Sequence, residues 1–225
     1  MNTPFNENTS PYRVVHCTDA LTWLRDEGPL HGASVITSLP DISEFPKLSL
    51  DEWKNWFIET AALILTSCSD DGVVIFFQSD IRVEGTWIDK GTLCQRAAEK
   101  TGHGLLWKRI ICRAPPGQIT FGRPSYSQLL CFSKNVRDHD APSGRGSRIA
   151  RADVVPDPGD YVWARGMASE ACRLACQYIL DHTSTRKIVN PFCGQGTVLA
   201  AANRLGLDAV GIELSRKRAE KSRQI

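Results

Sequence analysis

What this chain lacks sets its first bounds. It carries no strong charge of either sign, because Lys+Arg 27 against Asp+Glu 25 leaves +2 over 225 residues. So even a balance neither requires a nucleic-acid partner nor excludes one. No apolar run approaches the roughly 20 residues of a bilayer-spanning helix, so no membrane is expected. No basic residue precedes Arg13, so the chain does not open like a secretory signal or a transit peptide. Residues 1–11 read as a loose tail. The 8 cysteines follow no regular framework and read as reduced thiols of an intracellular protein. A cytoplasmic location is expected, with the nucleus also open. Cys172 and Cys176 share a helical face, but no second pair or nearby histidine completes a zinc site. They read as core, and no metal is expected. At this length one α/β domain over 1–225 is expected, not comfortably two.

The most informative stretch also speaks through absences. Lys187 to Ser215 reads as strand, glycine turn, helix and second strand. Ile188 and Val189 are β-branched, and Asn190-Pro191 prevents a helix from running backwards. Gly194 and Gly196 make a turn without side chains, and Thr197 opens a helix rich in alanine and leucine. This is the nucleotide crevice of an open α/β sheet. A triphosphate-binding loop needs a lysine after its glycines, yet Thr197 follows Gly196 directly. A dinucleotide fingerprint needs a third glycine, and Leu199 stands there. Glu213 lies about twenty residues beyond the turn, where an acid grips a ribose diol. A ligand with a ribose and no pyrophosphate fits, and S-adenosylmethionine is such a ligand.

The residues Asn190-Pro191-Phe192-Cys193-Gly194-Gln195-Gly196-Thr197 resemble the cofactor loop of the amino-methyltransferases of DNA and RNA, usually Asp-Pro-Phe-x-Gly-x-Gly-Thr. The resemblance implies that these residues and Glu213 hold S-adenosylmethionine, with Gly196 kept bare for the cofactor. Asp19 follows a short strand, Arg13 to Cys17, and is an N-cap for the next helix. The family also has an acid at such a strand end for the adenine amino group. Ala33 to Ser38 is a second buried strand, ending in Ser38-Leu39-Pro40-Asp41. There the family carries Asp/Asn/Ser-Pro-Pro-aromatic. An exocyclic amine is a poor nucleophile because its lone pair is delocalised into the ring. A side-chain oxygen and a backbone carbonyl accept its hydrogens and aim the lone pair, while the aromatic stacks the flipped base. Ser38 and the Leu39 carbonyl can serve the first purpose, and Pro40 matches the second proline. Leu39 and Asp41 depart from the pattern. Asp41 is then expected to accept from the amine or to take its proton. Cys193 is expected to line the site without acting as a nucleophile.

The remaining chain follows in order. Trp53, Trp56, Phe57, Ala61 and Ile64 fall at helical spacing and read as core. After the buried strand Val73 to Gln78, residues 79–90 read as a polar loop in which Arg82, Trp87 and Lys90 face a substrate. Trp107 to Lys134 resembles the family's last hairpin, whose antiparallel strand closes the sheet. Residues 135–160 read as a flexible basic loop, suited through Arg145 and Arg148 to phosphate contacts or to a plain linker. A helix is expected from about Tyr161 through Ile179. The implied fold is a Rossmann-like α/β sheet of seven strands, circularly permuted as in β-type amino-methyltransferases. No room remains for a module that reads a DNA site, so a base amine of RNA is expected before one of DNA. Two readings stay open, an active methyltransferase or a non-catalytic subunit that binds RNA or a catalytic partner. A homodimer is a further arrangement, and a small-molecule or protein methyltransferase a third reading.

Overall fold

The structure is a computed structural model that describes residues 10–137, 152–163 and 166–225. Arg145 and Arg148 therefore lie outside the described residues, as does most of the expected N-terminal tail. The elements run β1 (Arg13–His16), α1 (Ala20–Glu27), β2 (Ala33–Thr37), α2 (Leu50–Ser67), β3 (Val74–Gln78), β4 (Ile81–Val83), β5 (Thr86–Ile88) and α3 (Lys90–Thr101). They continue through β6 (Gly104–Cys112), β7 (Tyr126–Ser133), β8 (Val154–Val155), α4 (Ser169–His182), β9 (Lys187–Asn190), α5 (Thr197–Arg204), β10 (Asp208–Ile212) and α6 (Arg216–Gln224).

Eight strands form one sheet in the order β1-β10-β9-β2-β3-β7-β6-β8. The first five in that order are parallel, and β7 runs antiparallel to both β3 and β6. The expected Rossmann-like α/β sheet with its antiparallel closing strand is what the chain forms. The eighth strand is an addition. Val154 and Val155 pair with Ile110 and Ile111 at the sheet edge, so the back of the expected basic loop is partly ordered by backbone pairing.

The strands β2, β3 and β9 are buried on both faces, which explains their continuous β-branched and aromatic runs. Alternate residues serve opposite cores. Ile36, Ile75, Phe77 and Ile188 pack with α4 and α5 on one face. Val35, Val74, Phe76 and Val189 pack with α2 and α3 on the other. Cys172 and Cys176 are wholly buried among the first set, and burial raises both thiols, Cys176 to about 12. None of the eight cysteines, all among the described residues, is in a disulfide. Local signals set the helix starts. Asp19 accepts from the Thr22 N–H at 2.8 Å, Ser49 and Glu52 form a reciprocal capping box on α2, and Asp89 caps α3.

Three expectations change. Residues 79–90 are not a plain loop, because β4 and β5 pair as a hairpin. Helix α4 starts at Ser169 rather than near Tyr161, and the described residues just before it are irregular. Gly196 is bare for a different reason. Its φ is +89°, and a Cβ there would stand 2.8 Å from the Cβ of Ser222 in α6. The glycine lets α6 close over the start of α5, so packing by itself requires it to be bare.

Gly196→Val should therefore unfold more easily. Left-handed strain and overpacking together should cost at least about 2 kcal/mol, read as a lower denaturation midpoint at an unchanged urea m-value. Unchanged stability with lost ligand binding would restore the cofactor explanation.

Candidate active site

The site follows from the strand order. Helix α5 leaves β9 toward one face of the sheet while α2, after β2, covers the opposite face. Strands β9 and β2 are neighbours, so a crevice opens at their carboxyl ends, where open α/β sheets bind ligands. A cavity of about 510 Å³ lies there. Its walls include Asp19, Ser38, Leu39, Pro40, Asp41, Lys90, Asn190, Pro191, Phe192, Cys193, Gly194, Thr197 and Glu213. Four segments far apart in sequence thus meet at one place. Gly196, Arg82 and Trp87 are not in this lining. Arg82 lies in an adjoining cleft, and Trp87 is an exposed side chain of β5.

The glycine turn is held rigidly. The Asn190 side chain accepts from the Phe192 N–H at 3.2 Å, and the Cys193 N–H donates to the Ile212 carbonyl at 2.9 Å. Glu213 is only 6% exposed and fastens both ends of the crevice. One carboxylate oxygen accepts from the Gly194 N–H at 3.0 Å. The other accepts from the Ser215 N–H at 2.8 Å and from Arg218 Nε at 2.9 Å. A carboxylate held this way is fixed in orientation and retains acceptor capacity toward the cavity. The Thr197 hydroxyl is buried at the cavity wall without a hydrogen-bond partner among the described residues. Such an orphan calls for a polar ligand atom.

The second half of the site is charged. Lys90 opens α3, a position that disfavours a cation, and its side chain is 4% exposed. Its ammonium is paired with the Asp41 carboxylate. Lys90 is therefore not a surface charge of a loop. It reaches the crevice from beneath and fixes Asp41, which is committed to that pair before any substrate arrives. Ser38 lies at the mouth of β2, and Leu39 is buried in the core with its flanking residues at the cavity.

Cys193 lines the cavity at 6% exposure, and burial pushes its thiol up to about 12. A thiolate is hard to form there, so the expected lining role suits it.

Some wall residues escaped the sequence reading. Trp56, assigned to the core, faces the cavity instead. Its ring lies 4.4 Å from Phe45 and 6.4 Å from Phe192. The helical spacing did mark Trp53, Phe57, Ala61 and Ile64, which are fully buried, but spacing cannot tell a residue at the margin of a core from one inside it. Arg113, Trp163, Met167 and Arg218 also line the cavity. None of these four was marked as a site residue by the sequence. Trp163 stands 3.0 Å from where a Gly194 Cβ would be, so the bare turn lets an indole close over it.

No family model and no curated protein matches the chain. Solved structures do. TTHA0409 of Thermus thermophilus, described provisionally as a DNA modification methylase, superposes with a TM-score of 0.70 at 18% identity, over 95% of this chain and 93% of that one. The fold is a methyltransferase fold. TTHA0409 complexed with S-adenosyl-L-methionine gives 0.65 at 19% identity over the same shares. The PvuII cytosine-N4-specific DNA methyltransferase gives 0.69 at 13% identity, over 95% and 86% of the two chains. The M1.HpyAVI complex with S-adenosyl-L-methionine gives 0.61 at 13%, over 94% and 98%.

In the native protein near pH 8, iodoacetamide should alkylate the exposed Cys17 and spare Cys193, whose thiolate is suppressed by burial. Peptide mass spectrometry reads the difference. Equal labelling rates would mean that the glycine turn opens in solution.

Proposed function

We propose that the protein is an S-adenosylmethionine-dependent methyltransferase acting on an exocyclic amine of a nucleic-acid base. The observation that carries this is one cavity shared by the glycine turn, Glu213 and the Ser38–Asp41 loop. A plain nucleotide-binding domain needs the first two and has no use for the third. When bound, the cofactor supplies an electrophilic methyl group on a sulfonium. The residues fit it. Glu213 offers the ribose acceptors, Asp19 stands exposed at the α1 end of the cavity for an adenine amino group, and the orphan Thr197 hydroxyl offers a further polar contact. The order of the elements, with β9 and its glycine turn near the C-terminus but central in the sheet, supports a circularly permuted arrangement.

On the substrate side, Ser38 Oγ and the Leu39 carbonyl accept the two amine hydrogens and leave the nitrogen lone pair free to attack. Once methylated, the amine nitrogen would have a proton to lose. Asp41 is one of two carboxylates at this end of the cavity, with Glu44, and is the one held in place by Lys90. The aromatic that the family has at position 41 is missing, and Phe45 with Trp56 supplies an aromatic wall a short way along instead. That substitution favours an active enzyme over a non-catalytic subunit.

The expectation of RNA before DNA receives no support from the similar structures, which are named for DNA. We therefore take a DNA base first and an RNA base second. Transfer of label from the cofactor to DNA and to RNA, followed by nucleoside mass spectrometry, identifies the modified base.

Glu213→Ala removes a charged acceptor, worth about 1.5–3 kcal/mol per hydrogen bond, and frees the Gly194 N–H as well. Affinity for the cofactor by calorimetry should fall at least tenfold, and unchanged affinity in a folded variant would sink the ribose assignment. Ser38→Ala and Asp41→Asn should each slow transfer, the latter by roughly a hundredfold if Asp41 moves the proton. Because Asp41→Asn strands a buried ammonium, it is measured beside Asp41→Asn/Lys90→Met. Full activity in the double variant would clear Asp41 of any catalytic part.

A further inference from the structure

A second cleft of about 680 Å³ opens beside the site. One wall is the β4–β5 hairpin and the other is the connection from β6 to β7. Asp41, Ser79 and Arg113 line both spaces, so the two are continuous. Three arginines, Arg82, Arg113 and Arg123, face this cleft, and none of them forms an ion pair among the described residues. Arg82 donates through Nε to the Gly85 carbonyl, which leaves its terminal nitrogens free of that bond. Arg113 donates to Ser79 and lies over the Tyr161 ring. The opposing charges are Asp41 and Asp80. Asp41 is engaged by Lys90. Asp80 accepts from the Gln128 amide and the Lys90 N–H, and burial makes it harder to ionise. The cleft thus presents uncompensated positive charge beside the target end of the cavity.

The same connection carries an exposed aromatic. Phe121 is 94% exposed at φ +48°, and its neighbour Ile119 is 75% exposed. A phenylalanine in the left-handed region and in water is unfavourable twice, in backbone strain and in apolar exposure. Stability gives no reason for it, and strain of this kind collects at functional sites.

We propose that this cleft seats the polynucleotide backbone that flanks the target base, with Arg82, Arg113 and Arg123 on phosphates and Phe121 stacked on a base. Guanidinium groups match phosphate oxygens in pairs, and an exposed aromatic takes any base by its π-face. The proposal rests on the methyltransferase reading only for which base enters the cavity, so it is tested by binding rather than by turnover.

The probes are a fluorescently labelled mixed-sequence DNA duplex, its separated strand, and RNA of the same sequence, titrated by anisotropy over a salt series. Arg82→Gln/Arg123→Gln should weaken binding and lower the log Kd against log salt slope on duplex by about 2, near 0.9 for each phosphate no longer neutralised. Phe121→Ala should weaken binding about tenfold, the loss of one stacked base, at an unchanged slope. S-adenosylmethionine affinity of the arginine variant should stay as in wild type, since neither residue lines the main cavity. A normal slope in the double variant, or a wild-type protein that binds none of the three probes, would overturn the proposal. Binding with the expected slopes but no methyl transfer would uphold the cleft and remove the enzymatic reading instead. Binding of RNA alone would uphold the cleft and overturn the choice of DNA.

Discussion

Strands β1 and β2 are close in sequence, yet two strands separate them in the sheet, and both come from the far end of the chain. Their parallel hydrogen bonds cannot form until β10 and β9 fill the gap. Every other feature of the site hangs on that insertion. It puts the glycine turn beside the Ser38 loop, although about 150 residues lie between them. It also gives α6 a surface to pack on, with Arg13 donating to the Ser222 and Ile225 carbonyls and Arg223 to the Val15 carbonyl. Pairings this distant in sequence require chain entropy to be given up before they stabilise anything.

Within the crevice, polar groups are placed by being satisfied. Glu213 receives three donors, one from the glycine turn and two from the start of α6, and the Asp41–Lys90 pair links the β2 mouth to α3. Buried charge is tolerated only when it is paired, so the Glu213 carboxylate and the Lys90 ammonium act as struts of the site. Arg218 and Lys90 thereby bear on function although neither belongs to a glycine turn or a strand-end motif. The charge of the adjoining cleft is distributed differently. Its arginines make no ion pair among the described residues, which contributes nothing to stability but leaves them available to an anion.

Much of this was legible in the residues. Continuous apolar runs located β2, β3 and β9, because strands covered on both faces need apolar side chains on each; β7 was placed by resemblance alone. The capping residue Asp19 located the start of α1, because orphan N–H groups need local partners. The glycine turn and Glu213 stood out through what they excluded, and they share a cavity with Asp19 and the Ser38–Asp41 loop. Other assignments needed distances. Trp56 carries the spacing of a core residue, and only its place at the margin of α2 turns it toward the crevice. The edge strand β8 is two residues long, too short for any periodicity.

The sequence by itself determined the longer elements, their order and the chemistry of the turn, because these depend on neighbours a few residues away. The tertiary structure alone decided the rest. Lys90 reads as a substrate-facing side chain of a polar loop and is buried against Asp41 at the cavity wall. Gly196 reads as bare for a cofactor and is bare for Ser222 of α6. Arg82 reads as part of the target site and belongs to the cleft beside it. In each case the deciding partner is distant along the chain, where no local pattern reaches and only the closed sheet brings the groups together.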